Sequence, residues 1–498
     1  MSSESRLESI ARASVLTLSV LISGCATSSA AVPPSPRKLE LEPCRVPGLE
    51  EDLRCGTFHV PENRRTGQGR TLPLKVIVIP ARSQQPGEPI FYLSGGPGQA
   101  ATESAQYAAT SWQRQNHDVV LVDMRGTGEG HKLDCQLGSD DELQAYLVPI
   151  FFEGSRFSAC RDELSKKADL TQYTTPNSMQ DLDEVRQALG YGKIHLEGGS
   201  YGTRAGLTYL RMYGQNVRSA YLSGLVPLSN RSPLFHAAAA QRAFELTVAE
   251  CEAEASCRTA YPSPREDLAA ILQSLREKPA RVRVKHPVTG APAELSLSEP
   301  AFTDGLRVML YSAERGRTVP LLLQRARAGD YTPFAEAALM SSRGLREALR
   351  FGLLLSITCS EDVARIRPEE VEKETAGSFI GAYRVRGQMA ACAEWPEAQV
   401  PEDYFRPFTS QVPVLLVSGN LDPVTPPQWA EEAKKSLPNS LHVVTPGGHT
   451  AGNECVDSLA REMFRTGSVQ GLDTSCVKAL RNPPFVLPTD PPPATASR

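Results

Sequence analysis

Short apolar runs alternate along the chain with longer, periodic stretches. Thr71-Leu-Pro-Leu-Lys-Val-Ile-Val-Ile79 is a β-branched strand pattern, and Pro89-Ile-Phe-Tyr-Leu93 and Asp118-Val-Val-Leu-Val122 are apolar runs with glycines beyond them. From Ser178 to Leu189 the apolar residues Met179, Leu182, Val185 and Leu189 recur at helical spacing. Gly190 ends that stretch, and Lys193-Ile-His-Leu196 is the next strand. Strand, helix, strand in that order implies a parallel sheet with helices on its faces. From about residue 230 to 400 the texture becomes Ala-, Arg- and Glu-rich and mostly helical, with loops such as Lys285-His-Pro-Val-Thr-Gly290. Strand character returns at Val412-Pro-Val-Leu-Leu-Val417 and Leu441-His-Val-Val444. The pattern predicts an α/β fold with a mainly parallel central sheet in two parts, 43–228 and 405–481. An inserted, mainly helical cap at 229–404 separates them, and the Pro-rich tail at 482–498 is expected to be disordered.

Composition changes this picture only at the N-terminus. Across 498 residues, 53 basic and 57 acidic side chains leave a net charge of −4, which supplies no strong field for nucleic acid or anionic lipid. No stretch after residue 25 approaches the roughly 18 apolar residues of a membrane span. Before it, Arg6 and Arg12 precede the apolar run Val15 to Ile22, which meets Ser23, Gly24 and Cys25, so 1–25 reads as an export signal. Ile22-Ser-Gly-Cys25 resembles the bacterial lipobox, which implies that Cys25 is lipidated and becomes the mature N-terminus. Residues 26–42 then form a flexible tether. Ala26 carries no signal for inner-membrane retention, so the expectation is a monomer of the cell envelope, held at the outer membrane or periplasmic face only through its lipid.

Setting Cys25 aside leaves ten of the 11 cysteines, and an exported chain with an even number reads as disulfide-bonded. They fall as near neighbours: Cys44 with Cys55, Cys135 with Cys160, Cys251 with Cys257, Cys359 with Cys392, and Cys455 with Cys476. The eight histidines do not accompany them at ligand spacing, so no metal is implied.

Candidate chemistry centres on Leu196-Glu-Gly-Gly-Ser-Tyr-Gly-Thr203, where Gly198, Ser200 and Gly202 form G-x-S-x-G between a strand and a helix. Such a tight turn exposes a serine above the sheet only if its neighbours are nearly bare. A serine needs a histidine to take its proton and a carboxylate to orient that histidine. Asp422 and His449 follow in that order, in loops after consecutive strands. The oxyanion requires preorganised donors, for which the N–H of Tyr201 and that of Gly96, in Ser94-Gly-Gly-Pro-Gly98, are the candidates. No cofactor is needed. Asp123 and Arg125 are expected to brace the loop beneath the site as a charge-assisted pair.

The blocks Gly95-Gly-Pro-Gly98, Asp123-Met-Arg-Gly-Thr-Gly128, Asp181-Leu-Asp-Glu-Val-Arg186, Gly198-Gly-Ser-Tyr-Gly-Thr203, Asp422-Pro-Val-Thr-Pro426 and Gly447-Gly-His449 mark the stretch from about residue 45 to 480. Together they resemble the prolyl iminopeptidase and tripeptidyl aminopeptidase family of α/β-hydrolases. Thr358-Cys-Ser-Glu-Asp362 and Cys392-Ala-Glu-Trp-Pro396 resemble its tripeptidyl branch. Ser94 stands where the prolyl branch carries His, which favours the same branch, and Met124 replaces a Gln without evident consequence. The resemblance implies an α/β-hydrolase fold and a serine aminopeptidase that releases single residues or short peptides from free N-termini. Such an enzyme must hold the ammonium of its peptide substrate, and Glu361 and Asp362 are the candidates. Two other readings are a carboxylesterase or amidase using the same triad, and a non-catalytic lipid-anchored binding protein on a hydrolase scaffold.

Overall fold

The computed structural model describes residues 38–151, 155–450 and 452–488, so the export signal, Cys25 and most of the tether lie outside the described residues. Nine strands form one sheet: β1 (Glu42–Cys44), β2 (Leu53–Pro61), β3 (Thr71–Ile79), β4 (Ile90–Leu93), β5 (Val119–Val122), β6 (Ile194–Gly199), β7 (Val217–Ser223), β10 (Val414–Gly419) and β11 (Ser440–Thr445). Between them in sequence, β8 (Ala280–Lys285) and β9 (Pro292–Leu297) form a separate antiparallel hairpin. The order in the sheet is β1-β2-β3-β5-β4-β6-β7-β10-β11. β1, β2, β3 and β5 pair antiparallel, and every pairing from β5 onward to β11 is parallel.

β4 and β5 are apolar along their whole length, and β10 along its first four residues, because helices cover both faces of the sheet. On one face Val120, Val122, Phe91 and Leu196 pack against Met179, Leu182 and Val185 of the helix Thr175–Ala188 and Leu207 and Leu210 of the helix Tyr201–Tyr213. On the other, Leu415 and Val417 meet Val456, Leu459, Met463 and Phe464 of the helix Glu454–Thr466. The helix Thr175–Ala188 starts where Thr174 accepts a hydrogen bond from the N–H of Asn177, with Pro176 in its first turn.

Five helices of the inserted stretch gather in a second core, in which Phe244, Phe302, Leu306, Leu323 and Phe334 pack together and receive Leu143 and Leu147 from before the insertion. The insertion is not uniform, however. The helix Phe351–Glu361 is buried in the main core with Leu353, Leu355 and Ile357, and Trp395 and Tyr404 join it there.

The ten cysteines are joined as five nearest-neighbour disulfides, with Cα–Cα distances from 5.1 to 5.8 Å. Both ends of the folded body differ from the sequence expectation. Leu39, assigned to the tether, is buried and donates its N–H to Ala188 O at 3.0 Å. In the tail expected to be disordered, Phe485 is buried against Cys251, Cys257 and Tyr261 beneath the Arg317 guanidinium. Tyr261 also donates its hydroxyl to Val486 O at 2.7 Å, and an apolar anchor plus a backbone acceptor is enough to order residues 482–488 despite their prolines. Among the described residues no helix is long and apolar enough to cross a membrane.

Candidate active site

β6 ends at Gly199 and the helix Tyr201–Tyr213 begins one residue later, so the chain reverses at Ser200. Ser200 has φ 55° and ψ −124°, a strained conformation for an L-residue that costs about 1–3 kcal/mol. Its N–H donates to Ser223 O at 2.9 Å and its carbonyl accepts from the Thr203 N–H at 2.9 Å, which holds the turn. A Cβ on Gly202 would lie 2.1 Å from Leu93 O, and one on Gly198 would lie 2.6 Å from Gly202 O. Backbone packing therefore requires both glycines of G-x-S-x-G, Gly202 against β4 and Gly198 against the first turn of the helix Tyr201–Tyr213.

Asp422 and His449 come from the loops after β10 and β11. The His449 ring N–H at Nδ1 donates to Asp422 Oδ2 at 2.8 Å. Asp422 is fully buried and also accepts from the N–H groups of Val424 and Thr425, each at 2.8 Å, and from the Thr425 hydroxyl at 2.6 Å. Burial pushes its carboxyl upward, yet the adjacent His449 and the Thr425 hydrogen bonds outweigh this and hold it below the ordinary carboxylate value. Ser200 and His449 line the same cavity, of about 600 Å³. The cap closes over the histidine: Tyr311 O accepts the His449 N–H at 2.8 Å, and the two rings meet edge to face at 5.1 Å.

The loop after β4 also reaches this cavity. Gly95 and Gly96 line it, and Gly96 sits at φ 111°. A Cβ on Gly96 would lie 2.6 Å from Gly98 N, so no other residue fits. Tyr201 opens its helix, which leaves its N–H without an intrahelical partner and at the positive end of the helix dipole. The Tyr201 side chain is anchored inside, where its hydroxyl lies 2.8 Å from Thr175 Oγ1.

The two acids considered for a substrate ammonium separate. Glu361 does not line the cavity. It is fully buried and accepts from the Thr175 N–H at 2.6 Å, the Thr175 hydroxyl at 2.7 Å and the Tyr404 hydroxyl at 3.0 Å. Burial raises its carboxyl above the ordinary value. Its place is in the network that supports Tyr201, and it has no path to substrate. Asp362 does line the cavity, paired in bidentate fashion with Arg204 at 2.7 and 2.8 Å. The brace expected between Asp123 and Arg125 is likewise absent: Arg125 pairs with Asp181 at 2.7 and 2.9 Å, and Asp123 accepts from the N–H and hydroxyl of Thr102, both at 2.9 Å.

Thr425, Tyr311, Arg307, Arg384 and His236 enter the site unforeseen. Thr425 alone had a signal, as the residue three after the aspartate of an Asp-Pro turn. Among the described residues no cluster of three or more His, Cys, Asp or Glu side chains could hold a metal ion.

Comparison with known proteins agrees with this geometry. A family model described as alpha/beta hydrolase fold matches residues 88–260, and one described as TAP-like protein matches residues 377–476. The chain is 25% identical over 539 residues to the serine protease Hip1 of Mycobacterium tuberculosis, covering 95% of this chain and 99% of that protein. It is 24% identical over 480 residues to the tripeptidyl aminopeptidase of Streptomyces coelicolor, covering 86% and 84%. A shorter match, 24% over 139 residues, is to the proline iminopeptidase of Neisseria gonorrhoeae, covering 28% of this chain and 33% of that one.

Proposed function

The chain belongs to the α/β-hydrolases of the tripeptidyl aminopeptidase and proline iminopeptidase type, and from that premise we propose an exported serine peptidase that releases single residues or short peptides from free peptide N-termini. The observation that carries this reading is the buried Asp422–His449 pair, which opens on the same cavity as a serine held on a strained strand-to-helix turn. His449 donates from Nδ1 to Asp422, which leaves Nε2 unprotonated as the base. Ser200 Oγ attacks the scissile carbonyl and passes its proton to His449. The N–H groups of Tyr201 and Gly96 receive the oxyanion, and His449 then protonates the departing amine. Water, activated by the same histidine, hydrolyses the acyl-enzyme.

Among the described residues Asp362 is one of two acids on the cavity wall, and it supports recognition of a free ammonium: Oδ1 is taken by Arg204 and the Ser232 N–H with Arg365 at 3.8 Å, while Oδ2 accepts from Arg204 alone. Export is supported by the five disulfides, and the lipid anchor by the Ile22-Ser-Gly-Cys25 sequence. The test is release of p-nitroaniline from free and N-blocked aminoacyl, prolyl and tripeptidyl anilides, by the enzyme and by Ser200→Ala. Turnover of free-amine compounds that is lost on blocking and in the variant is the expected result. Ser200-dependent cleavage of p-nitrophenyl esters with no anilide turnover would replace the peptidase by an esterase.

A further inference from the structure

The charges around the cavity do not balance. Arg204 and Asp362 neutralise each other, and Glu314, the other acid on the wall, is exposed and held by Ser312. Arg307 and Arg384 also line the cavity, and Asp304 is a carboxylate whose charge acts on both. Asp304 is committed to Arg307, at 3.1 Å. Arg384 stacks on the Phe151 ring, with its guanidinium carbon 4.5 Å from the centroid. Its Nε is buried without a hydrogen-bond partner, and among the described residues no carboxylate lies within ion-pair distance. Beside it on the wall stands His236, whose Nδ1 is also buried and unpartnered. Three separate helices, Glu299–Met309, Tyr383–Ala393 and His236–Ala253, bring these groups together.

A buried guanidinium N–H without an acceptor, an unpartnered imidazole nitrogen beside it and a surplus cation are costly unless a ligand meets them. We propose that Arg384, Arg307 and His236 form a subsite for a carboxylate of the substrate, so that the peptides this enzyme cleaves carry an anionic group near the scissile bond. The proposal rests on the peptidase reading above and narrows its substrate class. The subsite adjoins the triad, because Arg307 Nη1 donates to the Tyr311 hydroxyl at 2.8 Å while the Tyr311 carbonyl receives the His449 N–H. Burial, and then the neighbouring Arg307, lower the Arg384 value from that of a free guanidinium, and burial, then Arg384 and Arg307, hold His236 well below the ordinary histidine value. The planar fork of Arg384 suits a carboxylate.

Two sources of that carboxylate are distinguishable. An acidic side chain is tested with Ala-Ala-Glu against Ala-Ala-Gln p-nitroanilide, and a C-terminal carboxylate with a tetrapeptide in free-acid and amide form. One of the acidic compounds is expected to exceed its neutral partner in kcat/KM by about tenfold, through KM. Arg384→Gln brings that ratio close to one, and Arg384→Lys, which keeps the charge but not the fork, leaves it intermediate. Ratios near one in the unaltered enzyme, with Ser200-dependent turnover of all four compounds, overturn the subsite and leave the peptidase standing. Absence of any peptide turnover overturns the peptidase reading instead. The subsite is then decided by calorimetry with glutarate. Binding weakened about tenfold in Arg384→Gln supports it, and no binding to the unaltered enzyme removes it.

Discussion

The backbone carbonyl of Tyr311, in the cap, accepts the N–H of His449 at 2.8 Å, so the insertion holds the histidine loop directly. Gly448 makes this possible, because a Cβ there would lie 2.3 Å from Tyr311 O. Gly448→Ala is expected to push the loop off the cap and lower kcat by about tenfold to a hundredfold, since ångström displacements of a catalytic group cost that much. Steady-state kinetics beside far-UV circular dichroism check it. An unchanged kcat would show that the cap contact does not position His449.

Asp422 fixes the tautomer of His449, and three donors of its own loop hold it ionised. Asp422→Asn is expected to reduce kcat by roughly 10³ to 10⁴, as loss of the orienting acid does in Ser-His-Asp enzymes. Thr425→Val, which removes one hydroxyl donor, is expected to cost about tenfold and to shift the acid limb of the kcat profile upward. Because Asp422 lies below the ordinary carboxylate value, its ionisation does not limit the unaltered enzyme near neutrality.

Strands were legible where burial makes apolar runs: the run at 71–79 is β3 as read, in the antiparallel part of the sheet, and the runs at 89–93 and 118–122 match β4 and β5 within one residue. β2 was not, because Cys55 and Gly56 break its alternation, and Gly56 is there since a Cβ would lie 2.7 Å from Glu40 O. The loop at Lys285–Gly290 proved to join β8 to β9, although Arg281-Val-Arg-Val-Lys285 alternates openly. In the site, motif spacing singled out Ser200, Asp422 and His449, and the fold bonds Asp422 to His449 and sets His449 on the same cavity as Ser200. The roles of Glu361 and Asp362 were hidden, because the partners that decide them, Thr175 and Arg204, lie 186 and 158 residues away.

Glu197, on β6 beneath the nucleophile turn, receives Gln113 Nε2 at 2.9 Å on both oxygens, but burial raises its carboxyl to about 7. The folded state therefore keeps a proton that the unfolded chain releases near the model-peptide value, and stability falls as pH rises from about 4.5 to 7. The contribution is on the order of 3 kcal/mol. Thermal melts of the enzyme and of Glu197→Gln at pH 5 and pH 8 check the sign. The variant is expected to lose less stability on going to pH 8, and an equal loss in both would exclude Glu197 as the cause.

Cys359–Cys392 ties the helix that precedes Asp362 to the helix Tyr383–Ala393, which carries Arg384, across a separation of 33 residues. Replacing both cysteines by alanine is expected to lower stability by about 3 kcal/mol and to raise KM more than it lowers kcat, because the cavity wall loosens while the triad is untouched. Denaturant titration and kinetics on one preparation test this, and a fall in kcat at constant KM would contradict it.

The central claim is that Ser200 is a nucleophile activated by His449. Mass spectrometry after reaction with a fluorophosphonate tests it directly. One adduct per chain, on Ser200, formed in step with loss of activity, is the expected result, with no adduct in Ser200→Ala and reaction slowed about a thousandfold in His449→Ala. Labelling at another residue, or full activity in a completely labelled enzyme, would contradict it.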